Sequence, residues 1–301
     1  MIEPWQLPLL FGASLAAGFV DSIAGGGGLI SLPALLSCGL DPRVALGTNK
    51  LQGTFGSASA TWHYAAAGTM KLRDCLRGFI FTFAGAIAGA LAVQLMDPSL
   101  LRKIIPVMLF SIALFVWFRP KLGESDLHPR IPRGFFDLLF GLGLGFYDGF
   151  FGPGTGTFWA IAFVVMLGFN LTKATGYTKV MNFASNIGSL GFFIYAHQVL
   201  WIPGLTMGVG QLIGAQIGAR MVVTRGTGFI RPVFLTVVVA LTAKLIYTAY
   251  FSGDKVAVVG QASWLSSCAS QSPSHPRAPH PSYFPTWACV PRSARAFSIS
   301  L

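Results

Sequence analysis

Gly18–Pro33 reads GFVDSIAGGGGLISLP, and Gly145–Ala160 reads GFYDGFFGPGTGTFWA. Each stretch has a Gly-Phe-X-Asp step followed by a glycine-rich run, set inside a segment that is otherwise apolar. About twenty residues on, GTNKLQGTFGS at Gly47–Ser57 is matched by GYTKVMNFASN at Gly176–Asn186, so a Thr-X-Lys or Thr-Lys entry recurs in the same order. Two ordered matches point to an internal duplication.

The pattern extends outward from these stretches. Charge-poor runs cover Pro4–Leu40, Leu51–Met70, Gly78–Met96 and Ile104–Phe118, then Leu138–Thr172, Val180–Ala196, Pro203–Ala219 and Pro232–Phe251. Each half thus has one long run and three ordinary ones. A straight helix of about 35 residues would be roughly 50 Å long, against a hydrocarbon core of about 30 Å. Both long runs carry helix breakers near the middle: Gly25, Gly26, Gly27 and Gly28 in the first, Gly152, Pro153, Gly154 and Gly156 in the second. Each long run therefore reads as two shorter helical pieces, a hairpin or re-entrant broken helix. Such backbone is tolerated at membrane depth only where protein or a wet cavity satisfies it.

Composition agrees. Of 301 residues, 53% are hydrophobic and 10% charged, where a soluble domain carries roughly a quarter charged residues. The formal charge of +11 does not indicate nucleic acid, because outside the C-terminal tail the basic residues sit in short clusters between apolar runs. The apolar start has Glu3 as its only charged side chain and no basic leader, so it reads as a retained span. If each long run turns back, Arg43, Lys50, Arg102 and Lys103 stay on one side, and the other basic residues between runs, from Lys71 to Arg231, face the other. That solution predicts five passes per half and halves inverted relative to one another.

The expected fold class is an all-α polytopic membrane protein of two homologous halves with about eight to ten passes, in the cell inner membrane. The expected domains are a first transmembrane repeat at 1–118, a cytoplasmic linker at 119–133, a second repeat at 134–251 and a disordered tail at 252–301, rich in Ser, Pro, His and Arg. Cys38, Cys75, Cys268 and Cys289 have neither metal-ligand nor redox spacing, so no metal site and no cofactor is expected.

Among ten acidic residues, only Asp21 and Asp148 lie well inside apolar stretches, at the same repeat position. An intramembrane carboxylate is costly unless paired or wet. Each could cap the broken backbone that follows it or couple a proton or cation. The glycine runs, with Thr155 among them, are the candidate ligand platform. The helical pieces starting near Leu29–Pro33 and Thr157–Ala160 present N–H groups and positive dipole ends that suit an oxyanion. Tight helix packing is the competing use of those glycines. Lys50 and Lys179, at matched positions, could neutralise an anion, with Thr48, Asn49, Gln52, Thr178 and Asn182 as polar partners. The alternative for both lysines is snorkelling to the interface.

No metal cluster or nucleophile–histidine–acid arrangement stands out. Tyr147-Asp148 superficially imitates an intramembrane aspartyl protease, but here the glycines follow the aspartate instead of preceding it. GFVDSIAGGGGLISLP with ALGTNKLQGTFGS, and the weaker copy GFYDGFFGPGTGTF with GYTKVMNFASN, resemble the TauE/SafE family of sulfite exporters over roughly Leu7 to Tyr250. The resemblance implies a secondary membrane transporter of sulfite, sulfonates or related organosulfur anions, without ATP hydrolysis and coupled to an ion gradient. Together with the residues above, this gives the working expectation of alternating access, with a substrate between the glycine breaks, Lys50 and Lys179 neutralising it, and Asp21 or Asp148 linked to a proton or sodium. A passive anion channel and a membrane scaffold are the rival readings. The expected partners are a small anion, the bilayer and the coupling ion, with no nucleic acid; a homo-oligomer is compatible with this plan.

Overall fold

The computed structural model describes residues 2–117 and 128–225. The run Pro232–Phe251, the tail 252–301, residues 119–127 of the linker, and Arg231 lie outside the described residues. Among the described residues every regular element is helical: α1 (Gln6–Ala24), α2 (Gly28–Ser37), α3 (Pro42–Ala66), a 3₁₀ turn (Leu72–Cys75), α4 (Leu76–Gln94), α5 (Pro98–Trp117), α6 (Arg133–Phe150), α7 (Thr155–Leu167), α8 (Leu171–Tyr195) and α9 (Trp201–Arg225). The all-α expectation holds for them.

Both long runs break at their glycines. Helix α1 stops at Ala24, where Gly25 turns left-handed (φ 77°) and its N–H closes the helix on the Asp21 carbonyl. Helix α7 begins after Gly154, also left-handed (φ 82°). Helix α2 has 10 residues and α7 has 13, so they rise about 15 and 20 Å, and neither crosses a roughly 30 Å core alone.

Two helices start earlier than the charge pattern predicts. Helix α3 begins at Pro42, where Asp41 caps it by accepting the Arg43 N–H at 2.9 Å. Helix α8 begins at Leu171, where the Asn170 side chain accepts the Lys173 N–H at 3.0 Å. The sequence reading began these runs at Leu51 and Val180, taking the lysines as boundaries. Instead, Lys50 and Lys179 stand more than two turns inside their helices and are 1% and 0% exposed. This removes snorkelling as their role, since each finds its counter-charge within the protein.

Helices α1 and α9 pack along one another, as do α4 and α6, and α3 packs on α8. The close pairs use small residues. Gly214 and Gly218 of α9 lie against Leu15 and Phe19 of α1, and Gly85 and Gly89 of α4 lie against Leu142 and Phe146 of α6. A second layer connects α3 to α9 and α8 to α4.

The distribution of polarity is inverted. Large apolar side chains such as Leu91, Leu139, Phe146, Ile202, Val209 and Ile217 are exposed, while Ser31, Lys50, Gln52, Lys179, Asn182 and Gln211 are buried. A water-soluble domain rarely buries lysine or leaves so much contiguous apolar surface open. A bilayer suits such an exterior. Two of the described helices, over Gln6–Ile23 and Leu72–Gln94, are by themselves long and apolar enough to cross it. Helices α3 and α8 are long enough at 25 residues each, but their buried faces carry the polar residues of the centre.

Candidate functional site

The two breaks meet backbone to backbone. A Cβ added to Gly156 would lie 2.6 Å from the Gly25 Cα, and one on Gly28 would lie 3.1 Å from the Pro153 Cα. Any residue larger than glycine at Gly25 or Gly156 pushes the breaks apart. The glycines therefore do serve close packing, but of one break upon the other. The same contact also brings both breaks to the edge of a cavity.

That cavity has about 40 Å³ open to the centre of a water molecule. By that measure one water takes roughly 10–15 Å³, so there is room for about three waters or a small ion, and none for a bulky organic ligand. Asp21, Gly25, Gly28, Asn49, Lys50, Gln52, Asp148, Gly152, Gly154, Thr155, Gly156 and Asn182 line it. All twelve were singled out from the sequence. The structure adds Gly53, Asn186 and Gln211.

Two ion pairs cross between the halves. Lys50 Nζ of α3 donates to Asp148 Oδ1 of α6 at 2.7 Å and to the Asp148 main-chain carbonyl at 2.5 Å. Lys179 Nζ of α8 donates to Asp21 Oδ2 of α1 at 2.9 Å and also to the Asp21 carbonyl. Each lysine thus binds both the side chain and the main chain of an aspartate one turn before a helix end. The remaining carboxylate oxygens are taken up as well: the Ser185 hydroxyl donates to Asp148 Oδ2, and the Gly27 N–H donates to Asp21 Oδ1 at 3.2 Å. Taking an ion from water into the interior costs several kcal/mol, and good geometry with a partner on each carboxylate oxygen is needed to offset it. Both pairs meet that condition. The aspartates also partner lysines and not each other, unlike the shared-proton dyad of an aspartyl protease.

Five predicted residues stand off the cavity wall. Gly26 and Gly27 form the turn, with the Gly27 N–H used as above. Thr48 Oγ1 accepts the Leu200 N–H at 3.1 Å and so holds the start of α9. Thr178 Oγ1 donates back to the Ala174 carbonyl at 2.8 Å, within its own helix. Lys179 stands behind Asp21. Asn49, Gln52 and Asn182 stand beside the motif lysines in sequence, and Gln211 has no such marker. Its signal was a carboxamide in the middle of the Pro203–Ala219 run, where an apolar residue would be expected.

The profile of the sulfite exporter TauE/SafE family matches residues 10–245. "Probable membrane transporter protein ORF9" of Sinorhizobium sp. is 45% identical over 251 residues, covering 80% of this chain and 92% of the relative. "Probable membrane transporter protein YfcA" of Escherichia coli K12 is 45% identical over 250 residues, covering 83% and 93%. "Probable membrane transporter protein YunE" of Bacillus subtilis is 26% identical over 275 residues, covering 79% and 96%. A chain matched over most of its length by one family profile, with both of its glycine breaks inside the match, belongs to the sulfite exporter TauE/SafE family.

Proposed function

We propose that the protein is a secondary transporter that carries small oxyanions (sulfite, sulfonates or related organosulfur anions) by alternating access, driven by an ion gradient. One observation carries this reading. Lys50 lies on the wall of a small cavity between two helix breaks, held there by an aspartate from the other half of the chain. An anion entering the cavity competes with Asp148 for Lys50, and the first turns of α2 and α7 add N–H groups and positive dipole ends. Lys179 adds positive charge from behind Asp21. Anion binding thereby loosens a contact between halves, which is what a carrier must do to move. Asp21 or Asp148, once loosened, links that movement to the driving ion. The names of the relatives support transport, and the family description supports a sulfur oxyanion.

The architecture that serves this function is a multi-pass protein of the cell inner membrane made of two inverted repeats, 1–118 and 134–251, joined by a cytoplasmic linker at 119–133. The matched sequence stretches support the duplication. So does the correspondence of contacts: α1 packs on α9 as α6 packs on α4, and the contact glycines Gly85 and Gly89 recur as Gly214 and Gly218. Inverted repeats with broken helices at the midplane are a common carrier plan.

Radiolabelled sulfite flux in proteoliposomes tests the reading. Saturable, trans-stimulated uptake is expected for the parent protein. It should collapse in Lys50→Ala and lose its gradient dependence in Asp21→Asn. Flux without saturation or trans-stimulation would indicate a passive channel. Inert sulfite, taurine and sulfoacetate with folded protein would remove sulfur anions from the reading.

A further inference from the structure

Three carboxamide oxygens on the residues lining the cavity have no hydrogen-bond partner: Gln52 Oε1, Asn182 Oδ1 and Gln211 Oε1. All three residues are more than nine-tenths buried, at 1%, 7% and 3% exposure. A buried carbonyl oxygen without a donor is costly, and structures seldom keep three around one cavity. The orientation of Gln52 is set by its neighbours. Its Nε2 donates to Asn49 Oδ1 at 2.7 Å, and that same oxygen also accepts the Ser31 hydroxyl at 2.6 Å. Gln52 therefore has its amide hydrogen engaged away from its Oε1.

The charged groups nearby leave these oxygens unserved. Lys50 spends donors on the Asp148 carboxylate and carbonyl, and Lys179 does the same on Asp21. All four carboxylate oxygens already accept a bond. A coupling proton placed on either aspartate would neutralise it and weaken its lysine pair, whereas a hard cation on the amide oxygens leaves both pairs as they are. Helices α1 and α6 end beside the cavity, and their C-terminal dipole ends also favour a cation.

We propose that Gln52, Asn182 and Gln211 form a subsite for a small alkali cation, sodium, and that sodium is the coupling ion; the second half of this statement rests on the carrier reading above. Charge balance gives the reason for coupling. The two lysines and two aspartates sum to zero, so a monovalent anion (hydrogensulfite or a sulfonate) alone leaves the site at −1 and a cation alone leaves it at +1. Bound together, in the space that opens when the anion displaces Asp148 from Lys50, they leave it neutral, so each strengthens the binding of the other by the same factor.

The test uses the full chain in detergent, with its thermal unfolding midpoint measured in choline, potassium and sodium chloride at one ionic strength. Sodium is expected to raise the midpoint saturably, and added sulfite to lower the sodium concentration required. Gln211→Met and Gln52→Met, which keep volume and lose the amide, should each weaken the sodium response about tenfold. Equal midpoints in sodium and choline for the parent protein overturn the subsite, and that comparison needs no variant to fold. An unchanged sodium response in both folded variants overturns its location. Sulfite flux driven by a proton gradient in sodium-free buffer overturns sodium as the coupling ion. A sodium response with no flux of any sulfur anion upholds the subsite and sinks the carrier reading instead, so the two failures are distinguishable.

Discussion

The two crossed ion pairs occupy matched positions but are built differently. Asp148 is held on both sides by long helices: Lys50 of α3 takes one oxygen, and Ser185 of α8 takes the other. Asp21 has Lys179 of α8 on one oxygen, while the other binds the Gly27 N–H, which belongs to the break itself. By the sequence match, the position of Ser185 falls at Gly56 in the first half. No hydroxyl is available there, and the Gln211 side chain fills the space. Exposure differs in the same sense, with the Asp21 side chain 15% exposed and that of Asp148 6%. The cavity distinguishes the lysines too, for Lys50 lines it and Lys179 does not. On the carrier reading, the first pair is an anchor with its lysine facing the cavity. On the same reading the second is a latch, its carboxylate bonded to the glycine backbone of the break. The matched motifs supply two similar frames, and differences at a few positions build them differently.

The largest expected effect tests that asymmetry. Lys50→Ala strands the better buried carboxylate and should cost about 3–5 kcal/mol of stability. Lys179→Ala should cost less, because Asp21 has more access to water. Denaturation of both variants in detergent measures the difference, and equal losses would erase the distinction between anchor and latch. Next comes the contact between breaks. Gly156→Ala forces a methyl into the Gly25 backbone and should cost about 1–3 kcal/mol, with flux falling further than stability because the cavity wall moves. Retained flux would separate the breaks from the ligand site. Ser185→Ala should cost about 1–2 kcal/mol by removing one bond to Asp148, with the gradient dependence of flux intact. Loss of that dependence would assign the latch role to Asp148 instead.

The smallest effect lies outside the membrane. Asp97, in the turn before α5, accepts the Ser99 N–H at 2.7 Å. Hydrogen bonds from the Ser99 side chain and backbone hold its carboxyl below the usual carboxylate range. A depressed value in the folded state means stability that is full above the ordinary carboxylate pKa and lost as pH falls through the lowered one. Melting curves of the parent and Asp97→Asn should therefore differ at neutral pH and converge in acid. Curves that stay parallel down to acid would show that this cap contributes nothing.

Much of the fold was legible because helix breaking is local. Gly25–Gly28 and Gly152–Gly156 interrupt their helices wherever they are placed, since glycine and proline act through their own backbone. The inward aspartates were legible for a similar reason, as only two acids stood inside apolar runs. The starts of α3 and α8 were not. The lysines looked like boundaries because charge is usually excluded from a span, and only a partner brought from elsewhere in the chain allows them inside. Gln211 was hidden because it is one of two carboxamides in its apolar run, with Gln216, and only their neighbours tell them apart.

Sequence alone set the helical class, the breaks, the duplicated order of motifs and nearly every residue of the cavity wall. These follow from apolar length, backbone stiffness and the position of charge, all properties of short segments. Tertiary packing alone set which lysine meets which aspartate, 98 and 158 residues away along the chain. It also set the contact of one break with the other, and the placing of Gln211 beside Gly56. Coulomb attraction and steric exclusion act through distances of a few ångströms in space, and separation along the chain does not encode those distances.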